Sequence, residues 1–176
     1  MNIDVMDTDD TMDIGVVDVE RLAADVIATA RSCSVTLVTA ESCTAGAIAN
    51  VLSRVPGAGE HLDGGFVAYS KAMKTRTLGV DPQLLARKTA VCAEVAEAMA
   101  LGALQRSPAN VAVAVTGVAG PEPDEDGNPV GLMFFCAAKK GGAPLTVKRH
   151  FKGLSRDAAV AAAIGESLHL LKRVCR

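Results

Sequence analysis

Val38-Thr39-Ala40-Glu41-Ser42-Cys43-Thr44-Ala45-Gly46 begins apolar and ends in small hydroxyl and glycine residues. Such a run reads as a buried strand that breaks into a helix N-terminus, where free backbone N–H groups attract developing negative charge. Ser42 falls at that turn. Upstream, Leu22, Ala23, Val26, Ile27 and Ala30 recur at helical spacing from Val19 and predict an amphipathic helix ending near Cys33, with a strand over 35–39. Downstream, residues 44–55 predict a helix stopped by Pro56-Gly57, Phe66-Val67-Ala68-Tyr69 a short strand, and 71–78 a helix closed by Gly79.

The same pattern continues to the end of the chain. Asp81-Pro82 marks a helix start, and 93–104 is an alanine-rich helix with Val95, Met99 and Gly102 on one face. Residues 110–116 form a continuous apolar strand, suited to a sheet covered on both faces, that ends in Thr116-Gly117-Val118-Ala119-Gly120-Pro121. A hairpin over 130–138 and 145–151 follows, then a helix capped by Ser155 that buries Val160, Ile164, Leu168, Leu171 and Val174. Strands alternating with helices before a final hairpin predict a single-domain, three-layer α/β/α fold with a mixed, mostly parallel sheet and one antiparallel member. Ligands of such sheets bind beyond the strand C-termini. Both Ser42 and Gly117 are expected there, which makes that edge the candidate site.

Bulk composition bounds the function. A chain of 176 residues, 49% of them hydrophobic, fits one domain over 16–176, preceded by a disordered acidic tail over 1–15. The first fourteen residues hold Asp4, Asp7, Asp9, Asp10 and Asp13 with no Lys or Arg, and the rest is mildly basic. An aromatic content of 3%, no Trp and a net charge of -2 argue against a nucleic-acid partner. Cys33, Cys43, Cys92, Cys136 and Cys175 are odd in number and lack CxxC spacing, so reduced thiols are expected rather than disulfides or zinc. No basic-then-apolar leader and no apolar stretch approaching the ~20 residues of a membrane helix is present. A cytoplasmic protein without a membrane partner is the expectation.

A serine hydroxyl needs a base to accept its proton and donors to stabilise the oxyanion it creates. His61, His150 and His169 are not placed beside Ser42 by any pattern. Lysine can replace histidine where burial or a nearby cation lowers its pKa by several units from ~10.4. Lys71, Lys74 and Arg76 all follow the second strand, and spacing leaves open which of them faces the site. Tyr69 is positioned to hydrogen-bond nucleophile and base, and the N–H groups of Cys43 and Thr44 to meet the oxyanion. Each residue also has an ordinary structural use: Ser42 as a helix cap, Tyr69 as a core aromatic, lysine as a solvated helix residue. Cys43 is the alternative nucleophile.

With those residues in view, the chain resembles the C-terminal domain of the competence-damage-inducible CinA family. The resemblance rests on Thr39-Ala40-Glu41-Ser42-Cys43-Thr44, on Gly65-Phe66-Val67-Ala68-Tyr69-Ser70 with Lys74, on Leu78-Gly79-Val80, on the 116–121 motif and on Pro129-Val130-Gly131. It implies hydrolysis of the carboxamide of nicotinamide mononucleotide to nicotinic acid mononucleotide and ammonia, in pyridine nucleotide recycling, without metal or other cofactor. The family's serine, tyrosine and lysine fall on Ser42, Tyr69 and Lys74. Cys43, Thr44, Gly46, Thr116, Gly117 and Gly120 fall on pocket positions, and Arg156 is assigned to the substrate phosphate, with a surface salt bridge as its alternative. Self-association is also implied. Longer members carry a further N-terminal domain, so only the amidohydrolase half is expected here.

Four departures stand out. Ala45 replaces the first of two usual glycines and is expected to narrow the pocket, Lys71 replaces an asparagine, Cys92 a serine, and 122–126 a glycine-rich loop. They keep a second reading in play, a non-catalytic nucleotide-binding or interaction module related to competence and DNA-damage proteins.

Overall fold

Leu37–Glu41 forms β2, and every one of its residues is buried, as a strand covered on both faces requires. A computed structural model describes residues 5–7 and 18–176 of the chain. Around β2 lie β3 (Leu62–Val67) and β4 (Val111–Gly117), both parallel to it, and then β5 (Leu132–Lys139) and β6 (Leu145–His150). The strand order is β1-β6-β5-β4-β2-β3, and β5 alone runs antiparallel to its neighbours. The fold is a single-domain α/β sandwich with a mixed, mostly parallel sheet.

Helices cover both faces. α1 (Val19–Ser32), α2 (Ala47–Ser53) and α6 (Arg156–Cys175) pack with Leu37, Val111, Val113, Val115 and Phe135. α3 (Lys71–Leu78), α4 (Pro82–Lys88) and α5 (Ala93–Gln105) pack on Val38, Ala40, Ala112, Ala114 and Ala138 of the other face. That second face is nearly all alanine, so α5, itself rich in alanine, approaches the sheet closely. Gly102 extends the effect sideways: a Cβ there would sit 2.0 Å from the Leu78 carbonyl oxygen, so only glycine lets α5 meet the end of α3.

The predicted helices and strands are present with ends shifted by a few residues. Leu22, Ala23, Val26, Ile27 and Ala30 are buried as their spacing requires. Ile164, Leu168 and Leu171 of α6 are buried too, whereas Val160 and Val174 are only half-buried. Two differences bear on the site. β2 runs two residues beyond its predicted end, to Glu41, and α2 begins at Ala47 instead of near Thr44, so an unanticipated turn separates strand from helix.

The expected disordered tail does not hold for Val5–Asp7, which forms β1 and pairs in parallel with Thr146, Val147 and Lys148 of β6. An exposed strand edge carries unpaired N–H and C=O groups, and three residues suffice to cover part of β6. The remainder of 1–15 lies outside the described residues. No helix among the described residues is long and apolar enough to cross a membrane. Gly102→Ala is expected to lower unfolding stability by about 2–3 kcal/mol through overpacking against α3, readable as a reduced denaturation midpoint.

Candidate active site

Register brings the site together. Glu41 stands opposite Val67 on one side and Val115 on the other, so β2 and β3 end level and β4 runs two residues further, to Gly117. Ser42 N–H donates to the Val115 carbonyl at 3.1 Å, and Ala68 N–H to the Glu41 carbonyl at 2.8 Å. The chain then leaves β2 toward α2 on one face and leaves β3 toward α3 on the other. Divergence of this kind opens a crevice beyond the strand ends. A cavity of about 380 Å³ occupies it, lined by Ser42, Cys43, Tyr69, Lys74, Thr116–Gly120 and Arg156 among others.

Lys74 reaches the crevice from inside. Ser70 caps α3 by accepting the Met73 N–H, and Lys74 and Leu78, one turn apart, form the buried face of the helix. Lys74 is only 1% exposed, yet its Nζ has three acceptors: Ser42 Oγ at 2.8 Å and the carbonyls of Ala68 and Tyr69 at 3.1 and 3.3 Å. Three acceptors suit an ammonium. Burial, reinforced by the nearby Lys71 charge, lowers the Lys74 pKa to about 8. On deprotonation the two carbonyls can keep the two remaining N–H groups, which aims the lone pair at Ser42 Oγ. The arrangement therefore supplies a base, already oriented, at hydrogen-bond distance from the hydroxyl.

The turn after β2 is organised by Glu41. Its carboxyl oxygens, fully buried, accept from Thr39 and Thr44 hydroxyls at 2.9 and 2.8 Å and from the N–H groups of Gly46, Ile48 and Ala49 at 3.0, 3.1 and 2.9 Å. The free N–H groups of α2 are thus taken by a protein carboxyl and do not face a ligand. Ser42 lies before this turn and is not a helix cap, since Gly46 occupies that position. Thr44 and Gly46, expected in the pocket, do not line it because their groups bind Glu41. Among the described residues, Cys43 and Thr44 N–H donate to no backbone carbonyl, and of the two Cys43 lines the cavity, which leaves it as the candidate oxyanion donor. Cys43 itself is buried, and burial pushes its thiol up to about 12, against a role as nucleophile.

Ala45 sits at φ +50° and is exposed. Its methyl does not narrow the cavity, contrary to expectation; its consequence is a left-handed backbone that glycine adopts more readily.

Tyr69 differs from its expected geometry. The ring is 57% exposed, and the backbone carbonyl, not the hydroxyl, meets Lys74 and, at 3.4 Å, Ser42 Oγ. The hydroxyl lies 3.5 Å from Arg156 Nη2, while Arg156 Nη1 donates to the Gly120 carbonyl. Hydrogen bonding to Tyr69 raises the Arg156 pKa further, so this guanidinium is a fixed cation at the rim, held by tyrosine and the second loop. Its salt-bridge alternative does not apply to these contacts.

In the second loop, Gly117 and Gly120 both line the cavity. A Cβ on Gly117 would fall 2.5 Å from Met133 Cγ and 2.7 Å from the Leu132 carbonyl. Thr116 also lines it, with its hydroxyl donated to the Ala90 carbonyl at 2.7 Å. Ala90 and Val91 belong to a wall the sequence did not reveal, set by Thr89 at φ +71°, whose Oγ1 accepts from Val91 N–H and Asn128 Nδ2. The two departures at Lys71 and 122–126 meet here: Lys71 Nζ lies 2.9 Å from Glu125 and 2.7 Å from Asp126 across the mouth. Neither residue signals this pairing in the sequence, because 55 positions separate Lys71 from Asp126. His61 and His150 bond the Val35 and Val130 carbonyls and do not line the cavity.

Comparison with known proteins agrees with this fold. The sequence profile of the CinA C-terminal domain matches residues 19–175, and the chain belongs to that family. A CinA-like protein of Mycolicibacterium vanbaalenii is 46% identical over 137 residues, 78% of this chain but 32% of that one. The chain thus spans about a third of the length of the longer curated relatives. A nicotinamide-nucleotide amidohydrolase PncC of Pseudomonas putida is 43% identical over 133 residues, covering 73% of this chain and 82% of that protein. Among solved structures, a competence/damage inducible protein of Agrobacterium tumefaciens superimposes with a TM-score of 0.87 at 36% identity, over 90% of this chain and 96% of that one. A CinA superfamily protein of Escherichia coli gives 0.83 at 35%, over 87% and 88%.

Two predictions follow from the site geometry. Ala45→Gly relieves the left-handed backbone and is expected to raise stability by about 1 kcal/mol in denaturant titration, less the extra chain entropy of glycine. Lys74→Met is expected to be more stable than the parent at neutral pH, by about 1–3 kcal/mol. The sign follows from the lowered pKa: the folded state holds the Lys74 proton less tightly than the unfolded chain, so parental stability falls as pH drops from 10.5 to about 8 and is level below that. The advantage of methionine should fade as pH approaches 10.5, the ordinary lysine value.

Proposed function

We propose that the domain hydrolyses the carboxamide of a nicotinamide nucleotide, with Ser42 as nucleophile and Lys74 as base. The observation that carries this reading is the buried Lys74 amine 2.8 Å from Ser42 Oγ, with its pKa lowered to about 8. The family and the Pseudomonas putida relative supply the substrate class.

In this mechanism Ser42 Oγ attacks the carboxamide carbon while its proton passes to Lys74 Nζ. The carbonyl oxygen becomes an oxyanion facing the Cys43 N–H. Collapse breaks the C–N bond, and the Lys74 ammonium returns its proton to the departing nitrogen, which leaves as ammonia. Water, deprotonated by Lys74, then attacks the acyl-serine ester, breaks its C–O bond and releases nicotinic acid mononucleotide with Ser42 restored. Tyr69 contributes through its carbonyl, which fixes the amine, and through its hydroxyl, which steadies Arg156 for the substrate phosphate. The reading places the reaction in pyridine nucleotide recycling in the cytoplasm, by a chain that self-associates.

Purified protein incubated with nicotinamide mononucleotide should release ammonia and the acid product, and Ser42→Ala should reduce turnover by on the order of 10³ or more while the fold persists. Because the ammonium has no lone pair, kcat/KM should climb with pH and level off above about 8. Binding measured calorimetrically without any product would instead favour the non-catalytic module.

A further inference from the structure

We infer that Lys71 is a specificity-determining residue for phosphomonoester substrates: the phosphate takes the place of Glu125 and Asp126 on its ammonium. The inference deepens the proposed reaction and rests on that reading for the identity of the amide.

The cavity lining holds three cations, Lys71, Lys74 and Arg156. Lys74 is committed to Ser42 and two backbone carbonyls, and Arg156 directs donors to Gly120 and Tyr69. Lys71 differs in kind, because its partners are carboxylates, at 2.9 Å for Glu125 and 2.7 and 2.8 Å for the two oxygens of Asp126. An incoming dianion can replace those partners without leaving the ammonium bare. Lys71 is also the first residue of α3, where the helix dipole disfavours a cation and favours an anion. The two carboxylates offset that conflict in this state, and a phosphate would offset it equally.

The acids can yield at small structural cost. Asp124 anchors the strap by accepting from Asp126 N–H at 3.1 Å and from Asn128 N–H and Nδ2, each at 2.8 Å. The backbone can therefore stay in place while the Glu125 side chain, 73% exposed, swings into water. The lining is otherwise acidic, with Glu122, Asp124, Glu125 and Asp126 around the mouth. Those carboxylates repel weak anions, and only a group with the charge and several acceptors of a phosphomonoester competes well for Lys71. The paired departures at Lys71 and 122–126 then act together as a charge filter.

The test titrates Ser42→Ala protein calorimetrically with nicotinamide mononucleotide and with nicotinamide riboside, which lacks the phosphate. Adding Glu125→Gln with Asp126→Asn should tighten nucleotide binding roughly threefold to fivefold, the strength of an exposed ion pair, with the nucleoside unmoved. Lys71→Asn should weaken the nucleotide about tenfold and cancel the gain from removing the acids. Nucleotide binding that is absent or no tighter in the acid-to-amide variant overturns the inference, as does a Lys71→Asn loss shared equally by nucleoside and nucleotide. Failure of turnover with these binding shifts intact counts against the proposed reaction alone, since the titrations require no chemistry.

Discussion

Five donors converge on the Glu41 carboxyl group, and the active edge depends on that convergence. A buried carboxyl without such partners would cost several kcal/mol, so the turn from Thr44 to Ala49 is held to the end of β2 by the need to satisfy it. The same residue's backbone carbonyl accepts the Ala68 N–H and thereby fixes where β3 stops. One residue thus sets the height of both loops that meet at Ser42. The helix N-terminus, which such turns often present to ligands, is used internally, and the Cys43 N–H beside Ser42 is the backbone donor left at the cavity.

A buried lysine is the opposite kind of feature. Its cost in stability comes from removing a cation from water, and that same cost lowers the pKa toward neutrality. Leucine or methionine at position 74 would fit the alanine-rich face of the sheet more simply. The fold tolerates the amine because Ala68 and Tyr69 end β3 with carbonyls that have no strand partner on that side and turn toward Nζ.

Much of this architecture is legible in the sequence. The unbroken apolar run at 111–115, and the one at 37–40 interrupted only by Thr39, mark strands buried on both faces, and the period of α1 survives intact in its buried residues. Position 74 is not decided by spacing: Lys71, Lys74 and Leu78 stand at i, i+3 and i+7 on one helical face, and it is the family resemblance that singles out Lys74, which the structure buries with Leu78. What escaped were features set by side-chain hydrogen bonds, local at Glu41 and long-range at Tyr69, which leave no period in the sequence. Glu41 looks like a polar residue ending a strand, and nothing local announces its five donors. The displaced start of α2, the left-handed Ala45 and the exposed ring of Tyr69 all follow from that turn or from Arg156, 87 positions away from Tyr69. Val5–Asp7 resembled tail because three residues carry no period.

The lone antiparallel strand divides labour within the domain. Because β5 returns alongside β4, the connection from Val118 to Gly131 folds over the cavity without carrying a helix or a catalytic group. Its length and charge can drift while β2, β3 and α3 keep Ser42 and Lys74 in contact. Evolution can therefore reshape the mouth of the cavity through one hairpin and leave its floor unchanged.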